Sequence, residues 1–129
     1  MEKDVKIVGY ILKKHPRKEG YSLPRLQRIL KIIDCKYSSM YGKPMSSISR
    51  KTKGDILEAV ELREILQNSK YIKLYQKNLA LTDTPITMVS LTERGFIEVE
   101  DLGERESVVV DFVMDLTEHL TFNELFIKF

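Results

Sequence analysis

The stretch Ser90-Leu91-Thr92-Glu93-Arg94-Gly95-Phe96-Ile97-Glu98 follows two runs of alternating side chains and precedes an acidic, helix-patterned tail. Ser90 with Glu93 three residues on has the form of a capping box. That spacing predicts a helix opening here and running to Leu102, with Gly103 as its stop. Ile97 and Val99 favour strand, and residues 96–100 alternate; helix is the preferred of the two. If a helix does begin here, the preceding residues close as a hairpin, and helices lie on both sides of it.

Upstream, residues 70–91 carry the hairpin pattern. In residues 71–76, Tyr71, Lys73 and Tyr75 fall on one face and Ile72, Leu74 and Gln76 on the other. Residues 86–91 supply the second strand, with Asp83 and Pro85 as turn formers between them. Residues 55–69 precede the hairpin as a helix, with Ile56, Ala59, Val60, Leu62, Ile65 and Leu66 as its apolar positions. A longer helix covers residues 22–40: Ser22 is placed to cap it, Pro24 fits its first turn, and Gly42 and Pro44 end it. Its apolar stripe is Leu26, Ile29, Leu30, Ile33 and Tyr37. A first helix spans residues 4–14, through Val5, Val8, Ile11 and Leu12, and stops at His15-Pro16.

Downstream, residues 104–119 form a helix lined on one side by Val108, Val109, Phe112, Val113, Leu116 and Leu120. Thr121 and Glu124 repeat the capping-box spacing and open a short final helix. Its Phe122, Phe126, Ile127 and Phe129 serve either as a strip docked on the core or as the seam of a homodimer. The expected class is therefore mainly α (α+β): one compact helical domain over residues 1–129, with a small, wing-like antiparallel hairpin.

At 129 residues the chain can bury a core without a disulfide or a structural metal. No run approaches the length of apolar sequence that spans a bilayer, and the charged start lacks a signal-peptide pattern. A cytoplasmic protein with no membrane partner is expected. The net charge of +2 conceals a split: residues 1–79 hold 18 Lys+Arg and 8 Asp+Glu, and residues 80–129 hold 3 and 11. Either the two halves neutralise each other or a basic surface faces a polyanion; mutual neutralisation is favoured.

The passage from Leu23 to Ser46 resembles the Panacea, or SocA-like, antitoxin domain family. Leu23, Leu26 and Leu30 sit on the helix as in that family, and Tyr41, Gly42 and Pro44 match its Tyr-Gly-x-Pro turn. Gly54-Asp55-Ile56 stands where the family has Gly-Pro-Val. The ending around Glu124 and Leu125 is similar to the family's closing turn. The resemblance implies a non-catalytic module that binds another protein, a toxin it neutralises or a protease to which it hands one.

Nothing in the residues argues for catalysis, a metal or a cofactor. His15 and His119 lie far apart in sequence without partners at ligand spacing. Cys35 is the lone cysteine and reads as a buried thiol. The carboxylates at 98–106 read as a solvated acidic turn, some of them paired with the cations at 50–53.

Two binding functions compete. In a winged-helix DNA-binding regulator the helix before the hairpin enters the major groove. Here that helix carries Asp55, Glu58, Glu61 and Glu64 against Arg63 alone, a poor match to phosphates. A DNA-binding face would have to be built from Arg50, Lys51 and Lys53 with Lys70, Lys73 and Lys77, or from Arg25, Arg28 and Lys31 on the second helix. A protein-binding face would use Tyr71, Lys73 and Tyr75, residue types common at interface hot spots. A protein partner is favoured, with DNA as the alternative.

Overall fold

The computed structural model describes residues 1–47, 55–78 and 84–129, with residues 55–59 described for their backbone only. The cations Arg50, Lys51 and Lys53 and the turn residue Asp83 lie outside the described residues. The chain is a mainly α domain with a small antiparallel sheet. Its elements are α1 (Lys3–Lys14), β1 (Tyr21–Ser22), α2 (Leu23–Tyr41), α3 (Asp55–Gln67), β2 (Ile72–Asn78), β3 (Pro85–Leu91), α4 (Glu93–Glu98), α5 (Glu104–Thr117) and α6 (Phe122–Lys128).

Helix α1 is the centre of the core. Residues Asp4 to Ile11, Lys6 excepted, are buried on every side of it, the pattern of a helix enclosed by others rather than laid on a surface. Gly9 permits this closeness: a Cβ there would lie 2.6 Å from Cγ1 of Val99. Helix α2 begins as its sequence predicts. Ser22 Oγ accepts from the Arg25 amide at 3.2 Å, and the helix ends at Gly42 in the left-handed region, φ 79°. Beyond it, two buried carboxylates gather the chain. Asp34 accepts the amides of Met45 at 2.9 Å and Ser46 at 2.7 Å, and the Ser46 hydroxyl. Asp4 accepts the Ser47 amide at 2.9 Å and its hydroxyl. Burying a carboxylate is costly unless its oxygens are hydrogen-bonded; here amides and hydroxyls meet that need and draw Met45 into the core.

Among the described residues the expected two-stranded hairpin is part of a three-stranded sheet of order β1-β3-β2. Tyr21 pairs with Val89 and Ser22 with Met88. A two-residue strand has no periodicity to detect, so its sequence gives no sign of it. Between β2 and β3 the register runs without a break from Ile72–Leu91 to Asn78–Pro85. The face formed by Ile72 and Leu74 with Leu91, Val89 and Thr87 turns toward the core, where α3 buries Leu62 and Leu66, and Gln76 at its far end is exposed. Val60, expected inside, is exposed.

The segment after β3 corrects two expectations. Ser90 is not a cap; it is the β3 residue opposite Lys73. The cap is Thr92, whose Oγ accepts from the Gly95 amide at 2.9 Å. The helix ends at Glu98 rather than Leu102. The strand tendency of Val99 prevails, and its extended backbone delivers the side chain into the core against Gly9.

In α5 the buried side is Val109, Val110, Val113, Met114 and Thr117. Val108, Phe112 and Leu116, expected on the buried side, are exposed. The helix carries two neighbouring apolar stripes, and packing against α2 covers one of them. The capping box of α6 forms as expected: Thr121 Oγ accepts from the Glu124 amide and Glu124 accepts from the Thr121 amide. Leu125 docks on the core, whereas Phe122, Phe126, Ile127 and Phe129 remain exposed.

Candidate functional site

Charge placement comes first, because it separates cations that hold the fold from cations that face solvent. Lys3 pairs with Glu106, and Lys6 Nζ lies 3.6 Å from Glu100. The basic first half thus meets the acidic second half directly, through α1. Glu98 pairs with Arg94 at 2.5 Å, within α4. These three carboxylates of the 98–106 cluster are matched by α1 and α4.

The cations of α2 are also engaged. Arg25 is buried, and its guanidinium donates to the Thr117 carbonyl at 3.0 Å. Burial, followed by the nearby Arg17 charge, pulls its pKa below the ordinary arginine range. Its Nε finds no acceptor among the described residues. Arg28 donates to the Leu125 carbonyl at 3.5 Å and stacks over Phe126, 4.6 Å from the ring centroid. Both tie α2 to the last two helices. In α3, Arg63 donates to Thr87 Oγ at 2.9 Å and so turns back onto the sheet.

The cations of β2 behave differently. Lys73 and Lys77 are exposed and meet no carboxylate among the described residues; Lys73 rests 5.8 Å from the Tyr75 ring. Lys70, just before the strand, lies 5.2 Å from the Tyr71 ring.

Tyr71 and Tyr75 do not share one surface. Tyr71 precedes the strand and lines a cleft of about 520 Å³ with Met1, Glu2, Val5, Glu64 and Ile65. Its carbonyl accepts the Thr92 amide at 3.0 Å, so its backbone anchors α4. Tyr75 lies on the outer face of the sheet and borders a groove of about 280 Å³ that residues of both faces line, among them Pro16, Tyr21, Val89, Leu91 and Phe96. Phe96 is 61% exposed at the rim, next to the still more exposed Ile97. Phe96 was missed because residues 96–100 carry competing helix and strand patterns, and neither marks which side chain stays exposed. Its place beside the alternating Phe-Ile-Glu-Val pattern was the available signal.

The two histidines, distant in sequence, line one cleft with Arg17, Glu19, Tyr21 and Glu118. His15 Nε2 lies 2.7 Å from Asp111 Oδ1, and the Tyr10 hydroxyl donates to both oxygens of Asp111, at 2.9 and 3.1 Å. Burial, reinforced by that hydrogen bond, pushes the Tyr10 pKa up to about 12. The Tyr21 hydroxyl donates to the His15 carbonyl. This cluster fastens the end of α1 to α5 and β1. Cys35, expected buried, is exposed on α2. Among the described residues no group of three or more His, Cys, Asp or Glu side chains could hold a metal ion. Nor is any described helix long and apolar enough to cross a membrane.

Among the described residues the fold is thus six helices built around α1 and a three-stranded sheet, with a groove bordered by Tyr75 and Phe96. No protein-family model, no curated protein and no solved structure matches the chain.

Proposed function

We propose that this chain is a non-catalytic protein-binding module, of the antitoxin or proteolytic-adaptor kind that its resemblance to the Panacea domain implies, and that it engages its partner through the groove bordered by Tyr75 and Phe96. The observation that carries this is the groove between Tyr75 and Phe96. Aromatic side chains stand partly exposed around a concavity whose walls are set by strand pairing and by α4. Large exposed aromatics beside a shaped groove are the usual anchors of protein interfaces. Lys73 adds a cation at its edge. Tyr71, turned into a different cleft, acts by holding α4 and hence Phe96 in place.

The alternative is a winged-helix DNA-binding regulator. The exposed Lys73 and Lys77 on β2, with Lys70 just before it, favour it. Against it stands α3, where Glu64 is exposed while Arg63 is hydrogen-bonded to the sheet. A reading helix needs free donors on its outer side.

Photo-crosslinking residues placed at positions 75 and 96, with position 40 on α2 as control, separate the two. Protein adducts from 75 and 96 but not from 40 are expected. DNA binding tighter than about 1 μM that weakens steeply with salt would overturn the protein-binding function in favour of the regulator.

A further inference from the structure

We propose that the free edge of β2 accepts an extended acidic strand of the partner, which adds to the sheet as a fourth strand. The proposal rests on the protein-binding function above and names the chemistry of what is bound. Among the described residues β2 pairs with β3 alone, so one side of its backbone is without a strand neighbour. The strand spans Ile72–Asn78, contains no proline, and holds one-to-one register over its whole length. From Tyr75 to Asn78 it is exposed on both faces. A regular, unbulged edge of this kind offers alternating amide donors and carbonyl acceptors to an incoming strand.

The side chains select the occupant. Lys73, Tyr75 and Lys77 alternate along one face, and a strand added to β2 places its own residues directly opposite them. Two acidic residues four apart, with an apolar or aromatic residue midway between, match that row. A second copy of this chain does not. In the two-fold antiparallel register that pairs the whole strand with itself, Lys73 faces Lys77 of the other copy twice over, and like charges opposite one another are unfavourable. The lysines that keep identical edges apart thereby admit an anionic strand. With no carboxylate beside them among the described residues, they are available to it.

The test uses the full chain, isotope-labelled, and a synthetic nine-residue peptide in which Glu recurs at every fourth residue, Val stands midway between the Glu residues and Thr fills the other positions. A control peptide carries Lys in place of Glu. Amide shift changes confined to residues 72–78 are expected with the Glu peptide, with affinity at least about tenfold above the Lys peptide. The paired substitution Lys73→Glu/Lys77→Glu should invert that preference. Two N-methylated Glu peptides, blocked on alternate sets of amides, report the backbone. One should lose binding at least about tenfold and the other should retain it, because only one set faces the edge.

No shift at 72–78 with about 1 mM Glu peptide would overturn the proposal. Equal binding by both N-methylated peptides would do so as well. A short oligothymidine that moves the same amides as strongly would replace it with generic polyanion binding. Failure of all peptide pairing, with photo-crosslinking through positions 75 and 96 intact, sinks the strand and leaves the protein-binding function standing. Loss of both sinks both.

Discussion

Replacing Gly95 by alanine probes the junction on which α4, and with it Phe96 at the groove, depends. Gly95 sits in the first turn of α4, packed against the backbone of Tyr71. A Cβ at this position would lie 2.1 Å from the Tyr71 carbonyl oxygen and 2.9 Å from its carbon. Both opposing groups are backbone, so no side chain can swing aside. Relief requires α4 to lift away from the start of β2. That movement strains two hydrogen bonds, Thr92 N–H to the Tyr71 carbonyl at 3.0 Å and Thr92 Oγ–H to the Lys70 carbonyl at 2.9 Å. Overpacking of this kind costs about 1–3 kcal/mol. Each weakened hydrogen bond adds about 1 kcal/mol. The better helix propensity of alanine returns about 1 kcal/mol.

The net expectation for Gly95→Ala is a loss of about 2–4 kcal/mol, which for a domain of this size lowers Tm by about 10 °C. Urea denaturation followed by circular dichroism measures it, with an unchanged m-value marking a true stability change. Gly42→Ala is the control. It has open space around its Cβ but a positive φ of 79°, so it reports conformational strain alone, about 1 kcal/mol. If Gly95→Ala is as stable as the parent chain or more so, propensity governs this helix and the proposed close approach is wrong.

Three further outcomes follow from buried and capping groups. Asp34→Ala leaves the Met45 and Ser46 amides without their acceptor and should cost about 3–5 kcal/mol by denaturant titration, with Asp34→Asn milder because one acceptor oxygen survives. Tyr10 has its pKa raised to about 12 in the folded chain against about 10 when unfolded, so between these values the unfolded state has already released the proton that the native state retains. Stability should be unaffected by this group below pH 10 and fall by roughly 2 kcal/mol as pH rises from 10 to 12; Tyr10→Phe should flatten that part of the curve, measured as Cm against pH. Thr121→Ala removes the capping oxygen of α6 and should cost about 1 kcal/mol, with amide exchange accelerated at residues 122–125.

The sequence alone was enough to place the long helices and the hairpin, because each carries a local signal. Ser22, Pro24 and Gly42 bracket α2, the Thr121–Glu124 spacing opens α6, and alternation marks β2 and β3. Of the surface proposed for binding, Tyr75 and Lys73 were legible and Phe96 was not. Tyr71 was assigned to the same face on parity, but parity carries no information about where a strand begins. Tertiary structure decided what local pattern leaves degenerate. It chose which of two apolar stripes α5 buries, leaving Phe112 47% exposed, and it brought two residues at 21–22 alongside β3 to make a third strand. It also moved the cap of α4 from Ser90 to Thr92. In each case the competing local choices differ by about a kilocalorie or less, whereas burying a large apolar side chain contributes about 2 kcal/mol. Long-range packing therefore outweighs them.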